Sequence, residues 1–402
     1  MIGKNRAEWY NHSSMFAKRI IGLLPSPTMM LDQRAKELRR QGIEIINLSA
    51  GEPDYDTPTS IKEAAIHAIE AGFTHYTQPE GIFELREAIA HKFKKDNNIS
   101  YDPSQIIVGA GSKQILYSAF QVLCDKNDEV LVPTPVYSSY IEQIKLAEGK
   151  PVCIKLKSPF KLTAADVERA ITPKTKILLL NTPASPTGAI IEKAELQKIA
   201  KLVIKHDLWV ISDEIYEKII YTGKHISIAA INKLVKEKTL TVNGVSKAFA
   251  MTGWRIGYAG GPKNVIRAMT TLQSQMTSNA NSIAQMAALG SLKSGKGTRE
   301  AMNNSYIKRR TFLLDALADI PQLSFVAPEG AFYFFVSLEK VLGRKYKTAP
   351  EWCEALLKEE KVAVVPGEAF LYPNYFRLSF TKPTVTLVEA VKRIKRFVEK
   401  NS

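Results

Sequence analysis

The sequence has few cysteines and no long apolar segment. Its 402 residues include three cysteines, Cys124, Cys153 and Cys353, which are far apart and odd in number. This pattern excludes a disulfide framework, and no cysteine spacing is typical of a zinc site. No apolar run approaches the roughly 20 residues that a membrane helix requires. We therefore predict a cytoplasmic protein that binds neither a metal nor a membrane.

The sequence also lacks an arginine-rich arm, an internal repeat and a low-complexity tract. The formal net charge is +15, from 55 basic and 40 acidic side chains, and the basic residues are spread along the chain. A positive surface can attract phosphates, carboxylates or nucleic acid. Nucleic-acid binding, however, requires a basic patch on a recognisable module, and the sequence contains neither. The distribution favours an ordinary solvated surface, so no nucleic-acid partner is expected.

Short apolar runs alternate with helical patterns between about residues 100 and 260. This alternation predicts an α/β fold with a mainly parallel sheet that helices cover on both faces. The length suits two or three domains. The runs interpreted as buried strands are Ile106–Val108, Val130–Val132, Ile177–Leu180, Leu208–Ile211, Leu240–Val242 and Ile256–Ala259. In open sheets of this kind, ligands bind beyond the carboxyl ends of the strands.

The pattern changes after about residue 300, where a long helical stretch precedes a strand pair, another helix and two further strands. These features predict a smaller α+β domain. The segment near the N-terminus, with a helix at 28–41 and a strand at Ile43–Leu48, is expected to pack with it. The predicted divisions are an N-terminal segment 1–55, a large domain 56–295 and a small C-terminal domain 296–402.

The most informative motif follows the predicted strand Leu240–Val242. Residues 245–257 read VSKAFAMTGWRIG and place Lys247 in a loop of small residues, shortly before Arg255. An isolated lysine there would be interpreted as an exposed loop residue. The whole segment, however, resembles the cofactor-lysine motif of fold-type I pyridoxal-phosphate-dependent aminotransferases (class I/II), close to the bacterial aspartate/prephenate branch. The resemblance covers most of the chain, from about Pro25 onward, and implies a seven-stranded sheet in the large domain.

The resemblance implies that Lys247 holds pyridoxal 5′-phosphate as a Schiff base and that Arg255 holds the cofactor phosphate. Asp213 is implied to pair with the pyridine nitrogen, and Tyr216 to donate to the 3′-oxygen. A carboxylate beside that nitrogen keeps it protonated, so the ring can accept electrons from the substrate. Without the resemblance, Asp213 could equally cap a turn.

Two further segments are implied to hold the cofactor. Gly111, Ser112 and Lys113 follow a predicted strand and open a helix, whose N-terminus offers unpaired N–H groups to a phosphate. Tyr137 is implied to stack on the cofactor ring and to lie beside the substrate. Tyr76 is implied to reach the phosphate of the neighbouring subunit, which requires a homodimer with shared active sites.

Substrate contacts are implied for Gly51 and for Arg377, which lies in an alternating strand near the C-terminus. A planar guanidinium binds a carboxylate through two parallel hydrogen bonds and so orients the α-carbon. Ser185 departs from the family, because an asparagine that contacts both cofactor and substrate is expected at this position. A serine hydroxyl is shorter and has one donor instead of two, which leaves the substrate more open than the cofactor.

These residues predict ping-pong transamination between an L-amino acid and a 2-oxo acid, with Lys247 as the base. An aspartate- or glutamate-type donor with 2-oxoglutarate is one expectation, while aromatic, prephenate, alanine and kynurenine-type substrates remain open. A carbon–sulfur lyase of the same fold would retain Lys247, Asp213 and Arg377. A non-catalytic regulator is the third alternative, and it would require a DNA-binding module that the sequence does not contain.

Overall fold

The computed structural model describes residues 16–17, 19–294, 296–343 and 345–401. Residues 1–15, which open the predicted N-terminal segment, lie outside the described residues. Within the described ranges, no helix combines the length and the apolar character that crossing a membrane would require.

Strands and helices alternate along most of the chain. Numbered in chain order, the strands are β1 (Ile46–Asn47), β2 (Ile106–Gly109), β3 (Glu129–Thr134), β4 (Lys150–Lys155), β5 (Thr175–Asn181), β6 (Trp209–Asp213), β7 (Thr239–Gly244), β8 (Gly257–Gly260), β9 (Ser324–Phe325), β10 (Tyr333–Ser337), β11 (Val362–Ala363), β12 (Val365–Pro366) and β13 (Tyr375–Ser379). The helices are α1 (Pro27–Arg40), α2 (Thr59–Glu70), α3 (Phe83–Asn97), α4 (Ser112–Leu123), α5 (Ser139–Leu146), α6 (Ala164–Ala170), α7 (Lys193–Lys205), α8 (Lys233–Lys236), α9 (Lys263–Ser274), α10 (Ser282–Ser294), α11 (Lys296–Ala318), α12 (Ala349–Glu360) and α13 (Thr384–Asn401). The predicted alternation is confirmed between β2 and β7.

Strands β2 to β8 form one seven-stranded sheet in the order β2-β8-β7-β6-β5-β3-β4. Its neighbouring pairs are parallel, except that β8 runs antiparallel to both β2 and β7. The mainly parallel sheet is thereby confirmed. The sequence interpretation missed the edge strand β4, because its apolar run, Val152–Ile154, is short and lies between the lysines Lys150 and Lys155.

The sheet forms because its strands are apolar on both faces. Residues Ile106–Val108 of β2 are fully buried, a pattern typical of a strand that is covered on two sides. The covering helices bury one stripe each, and in α7 that stripe includes Leu196, Ile199 and Val203. Burial of one such aliphatic side chain stabilises the fold by roughly 1.5–3 kcal/mol.

A second sheet, which is antiparallel, lies in the C-terminal part of the chain in the order β12-β13-β10-β9. The short strand β1 pairs in parallel with β11, and Ile46 lies opposite Val362. A core that includes Trp352, Phe376 and Phe397 joins this region to helices α12 and α13. The segment around β1 therefore packs against the C-terminal part, while the predicted domain boundaries remain proposals.

The large sheet brings several strand ends to one edge. Asn181 at the end of β5 lies opposite Asp213 at the end of β6. Gly257, where β8 begins, lies opposite Gly244 at the end of β7 and Gly109 at the end of β2. Because β8 is antiparallel, the residues just before it meet the residues just after the other strands.

Candidate active site

A cleft of about 790 Å³ opens at this edge of the sheet. Helix α1 and the loop after β1 line the cleft, as do the segments that follow β2, β3, β5, β6 and β7, together with Tyr333 of β10 and Arg377 of β13. The predicted site residues that line it are Gly51, Ser112, Lys113, Tyr137, Ser185, Asp213, Tyr216, Lys247, Arg255 and Arg377. Gly111 lies against the Arg255 side chain, whereas Tyr76 does not line the cleft.

Lys247 enters the cleft from the loop that follows β7. Its Nζ donates a hydrogen bond to the backbone carbonyl of Gly51, in the loop after β1. Burial, with smaller contributions from the positive charges of Arg377 and Arg255, lowers the pKa of Lys247 to about 8, although Glu52 and Asp213 oppose this shift. A substantial fraction of the amine is therefore neutral near pH 8, as a nucleophile or a base requires.

Asp213 ends β6 with its carboxylate inside the cleft and is only 4% exposed. Tyr140 donates to its Oδ2 at 2.7 Å, and the Ile215 amide donates to its Oδ1 at 3.1 Å. Burial raises the pKa of Asp213 to about 6, and the hydrogen bond from Tyr140 opposes that shift. Among the described residues no cation forms an ion pair with Asp213, so its charge is available to a ligand.

The start of helix α4 forms an anion pocket beside Arg255. Gly111 has φ +85°, and a Cβ there would overlap the Arg255 guanidinium, so only glycine suits this approach. The Ser112 hydroxyl donates to the Asn243 carbonyl at 2.8 Å. In the described chain the Ser112 and Lys113 amides have no hydrogen-bond acceptor and Arg255 has no carboxylate partner. An anion would satisfy all three groups.

Arg377 lies on β13 and is only 3% exposed. Its Nη2 donates to the Ser49 carbonyl at 2.8 Å, and its guanidinium lies 4.2 Å from the Tyr333 ring centroid and 4.7 Å from that of Phe370. Its Nε is buried without a partner, and no carboxylate pairs with it in the described part of the chain. A buried cation without a counter-charge is costly, so this site is prepared for an anionic ligand.

The loop after β1 connects the two cationic groups, because Ser49 accepts from Arg377 and Gly51 accepts from Lys247. A Cβ on Gly51 would collide with the Tyr333 hydroxyl. That hydroxyl lies 2.8 Å from the hydroxyl of Tyr216. Glycine is therefore needed where the backbone approaches these aromatic residues.

Ser185 lies at the cleft wall and is 6% exposed. Its backbone N–H donates to Asn181 Oδ1 at 2.8 Å, and Asn181 Nδ2 donates to the Asp213 carbonyl at 3.1 Å. Asn181 thus fixes the Ser185 loop to the strand end that carries Asp213.

The family profile "Aminotransferase class I and II" matches residues 43–394. This chain belongs to the class I and II aminotransferases. It is 46% identical over 390 residues to the aspartate aminotransferase of Bacillus subtilis (strain 168). The alignment covers 96% of this chain and 99% of that protein. It is also 46% identical to the probable aspartate/prephenate aminotransferase of Rickettsia bellii (strain RML369-C), and this alignment covers 95% of this chain and 98% of that protein.

Solved structures of aminotransferases are similar over nearly the whole chain. The Thermus thermophilus aspartate aminotransferase with maleate has a TM-score of 0.91 and 42% identity, and the match covers 95% of this chain and 99% of that one. The Rhizobium meliloti aspartate aminotransferase has a TM-score of 0.92 and 40% identity, and the match covers 96% of this chain and 99% of that one. The predicted fold and reaction class are confirmed, and the lyase alternative is not favoured.

Aminotransferases of this class depend on pyridoxal 5′-phosphate, as the sequence predicted. The cleft fits this cofactor because it presents a buried amine, a buried carboxylate without a cationic partner, and an anion pocket. These groups are Lys247, Asp213 and the start of α4 beside Arg255. They complement an aldehyde, a pyridine nitrogen and a phosphate respectively.

Sequence reasoning missed two aromatic residues in this aminotransferase cleft, Tyr140 and Tyr333. Tyr140 follows Tyr137 by one helical turn, and that spacing could have indicated a shared face toward the cleft. Tyr333 carries no such signal, because its contact with Arg377 arises from the antiparallel pairing of β10 with β13.

A buried polar network behind Asp213 was also missed. Glu214 accepts from the Ser212 hydroxyl at 2.9 Å and lies 2.9 Å from His225 Nε2. Next to it, the Lys92 ammonium forms an ion pair with Glu217. These contacts anchor the turn that presents Asp213 to the cleft. The positive charge of Lys92 balances the negative charge of the neighbouring Glu217 carboxylate.

Tyr76 is 89% exposed and lies outside the cleft of its own chain. Exposed apolar side chains occur nearby in sequence, namely Ile66, Ile69 and Phe73. The predicted role of Tyr76 in a neighbouring subunit therefore stays a prediction.

Proposed function

We propose that this aminotransferase is of the aspartate/glutamate type and transfers the amino group of L-aspartate to 2-oxoglutarate in a ping-pong reaction, which yields oxaloacetate and glutamate. The observation that carries the transamination of an amino acid is the buried guanidinium of Arg377, whose Nε has no partner, in the same cleft as Lys247 and Asp213. The names of the similar proteins from Bacillus and Rickettsia support an acidic substrate.

Pyridoxal 5′-phosphate, when bound, supplies an aldehyde that condenses with amines and a ring that accepts electrons from the substrate α-carbon. Lys247 would hold the aldehyde carbon, and Asp213 would hold the ring nitrogen in its protonated form. Tyr140 keeps Asp213 ionised by donating to its Oδ2. Tyr216 would donate to the 3′-oxygen.

The remaining cofactor contacts follow from the anion pocket and the cleft wall. Gly111, Ser112 and Lys113 at the start of α4, together with Arg255, would bind the phosphate. Tyr137 would cover the ring face; the Lys113 ammonium lies 5.3 Å from the Tyr137 ring centroid. Ser185 would lie between the cofactor and the substrate, with a shorter reach than an asparagine.

Arg377 would bind the substrate α-carboxylate in a bidentate manner, with the backbone of Gly51 beside it and Tyr137 and Ser185 at the cleft wall. Once its amine is free, the neutral Nζ of Lys247 would accept the proton from the substrate α-carbon and donate it to the carbon that the cofactor aldehyde supplies. The lowered pKa of Lys247, about 8 because of burial, makes the neutral amine available for this step.

The substitution Arg377→Lys tests the carboxylate site. We expect kcat/KM for aspartate to fall about 100-fold, equivalent to about 3 kcal/mol, because an ammonium cannot form two parallel hydrogen bonds. Most of the loss should appear as a higher KM in steady-state assays with 2-oxoglutarate. Arg393→Lys on helix α13, outside the cleft, is the control, and an equal loss in both variants would contradict the assignment.

The overall reaction is tested by incubating the purified protein with amino-acid donors and 2-oxoglutarate. Formation of glutamate that depends on the donor supports transfer, and aspartate should be the best donor. Release of pyruvate and ammonia without glutamate would instead indicate elimination and overturn the proposal.

We also propose a homodimer in which Tyr76 reaches the phosphate site of the partner. The exposure of Tyr76, 89%, supports this arrangement. Sedimentation should give a mass of about 90 kDa, twice the 44.8 kDa of the chain. Tyr76→Ala should weaken cofactor binding severalfold in a fluorescence titration, and a fully active monomer would refute the shared site. The cytoplasmic location and the domain boundaries remain predictions from the sequence.

A further inference from the structure

The ring of Tyr333 lies between two residues of the proposed mechanism. Its centroid is 4.2 Å from the guanidinium carbon of Arg377, and its hydroxyl is 2.8 Å from the hydroxyl of Tyr216. Tyr333 is 2% exposed and Tyr216 is 5% exposed, and the Gly51 backbone packs against the Tyr333 hydroxyl. Tyr333 therefore contacts the carboxylate site with its ring face and the cofactor site with its hydroxyl.

The proposed role of Tyr216 sets the direction of the bond between the two hydroxyls. A phenol has one proton to donate and can still accept a hydrogen bond. If Tyr216 donates its proton to the 3′-oxygen of the cofactor, it must accept the proton of Tyr333. A hydroxyl that accepts a hydrogen bond becomes a better donor, because successive hydrogen bonds polarise one another.

The charge of Arg377 acts on this chain of hydrogen bonds. Burial raises the pKa of Tyr333, while the guanidinium over its ring lowers it and so favours donation. A carboxylate bound to Arg377 would neutralise much of that charge. The donation from Tyr333 to Tyr216 would then weaken. The other titratable groups that face the two phenols are Asp213 and Tyr140 near Tyr216, and Tyr137 and Tyr306 near Tyr333.

We propose that Tyr333 is a positioning residue that transmits carboxylate binding at Arg377 to the Tyr216 hydroxyl. This inference rests on the proposed function, in which Arg377 binds the substrate and Tyr216 donates to the cofactor. Its consequence is that Tyr333 sets part of the difference in proton affinity of the cofactor-bound lysine nitrogen between the ligand-free and the carboxylate-bound states, because the Tyr216 donor favours the deprotonated, more negative state.

The test is an absorbance titration with pH of the cofactor-loaded protein, without turnover and with or without maleate as an unreactive dicarboxylate. In the wild type, maleate should raise the titration midpoint. In Tyr333→Phe the ligand-free midpoint should rise by about 0.5–1 pH unit, the value of one hydrogen bond. The shift caused by maleate should fall to less than half, while the Kd of maleate stays within about twofold.

A second variant separates the ring from the hydroxyl. Tyr333→Leu removes the ring from Arg377, so the Kd of maleate should rise about fivefold or more. Tyr101→Phe is the control, because Tyr101 is buried and its hydroxyl lies 3.1 Å from the Thr241 hydroxyl outside the cleft. This control should change neither the midpoint nor the Kd.

The outcomes distinguish this inference from the proposed function. A wild-type protein that develops no visible absorbance with pyridoxal phosphate would overturn both. A normal wild-type titration together with an unchanged maleate shift in Tyr333→Phe would overturn the role of Tyr333 alone. Equal changes in Tyr333→Phe and Tyr101→Phe would also overturn it, because they would indicate a general effect on the fold.

Discussion

Replacing Lys247 with alanine is expected to lower kcat/KM for transamination by roughly 10⁴- to 10⁶-fold. The substitution removes the amine that extends from the loop after β7 to the Gly51 carbonyl. It therefore removes both the covalent link to the aldehyde and the base for the α-proton. The measurement is single-turnover absorbance with aspartate, which also reports whether the visible spectrum of the resting protein is lost.

The control for this variant is Lys198→Ala. Lys198 is a surface residue on helix α7 whose side chain is 62% exposed and pairs with Glu195 at 2.7 Å. Exposed pairs of this kind contribute at most about 1 kcal/mol, so activity and spectrum should be unchanged. Turnover by the Lys247 variant within tenfold of the wild type would contradict the role assigned to this residue.

The substitution Asp213→Asn is expected to reduce kcat by roughly 100- to 10,000-fold. An asparagine keeps the size of the side chain and can still accept from Tyr140, but it carries no charge to keep a ring nitrogen protonated. The ring would then accept electrons poorly, and proton removal from the α-carbon would be slow. A large deuterium isotope effect with α-deuterated aspartate would locate the loss at that step.

Two comparisons make this prediction specific. Tyr140→Phe removes only the donor to Asp213, so we expect a smaller loss, about tenfold, and a raised pKa of the carboxylate. Asp56→Asn alters a surface carboxylate with an 80% exposed side chain and should have no effect. If Asp213→Asn retained more than a tenth of the wild-type kcat, the carboxylate would not be needed for the chemistry.

The sequence predicts those site residues that belong to local motifs. Lys247 and Arg255 lie in one short segment, and Asp213 and Tyr216 follow one strand, so a single turn of chain brings each pair together. The continuous apolar runs of the buried strands predict the parallel sheet for the same local reason. Strand β4 was missed because its apolar run of residues 152–154 is short and lies between two lysines, as suits an exposed edge strand.

The remaining parts of the site depend on contacts between distant segments. Arg377 stacks on Tyr333 because β10 and β13 pair in an antiparallel register, and Phe335 lies opposite Arg377. Asn97, on helix α3, donates to Glu217 after β6. Neither periodicity nor motif spacing encodes such pairings, since each one is set by tertiary packing. The proposed contact of Tyr76 with a partner subunit would depend on a second chain, and no local pattern encodes it.

The covalent link between Lys247 and the cofactor is tested most directly by borohydride reduction and peptide mass spectrometry. The purified protein is loaded with pyridoxal phosphate, reduced and digested, and the modified peptide is sequenced. We expect one phosphopyridoxyl group per chain, on Lys247, together with loss of the visible absorbance. Modification of another cleft lysine such as Lys113, or the absence of any modified peptide, would contradict the mechanism proposed for this cleft.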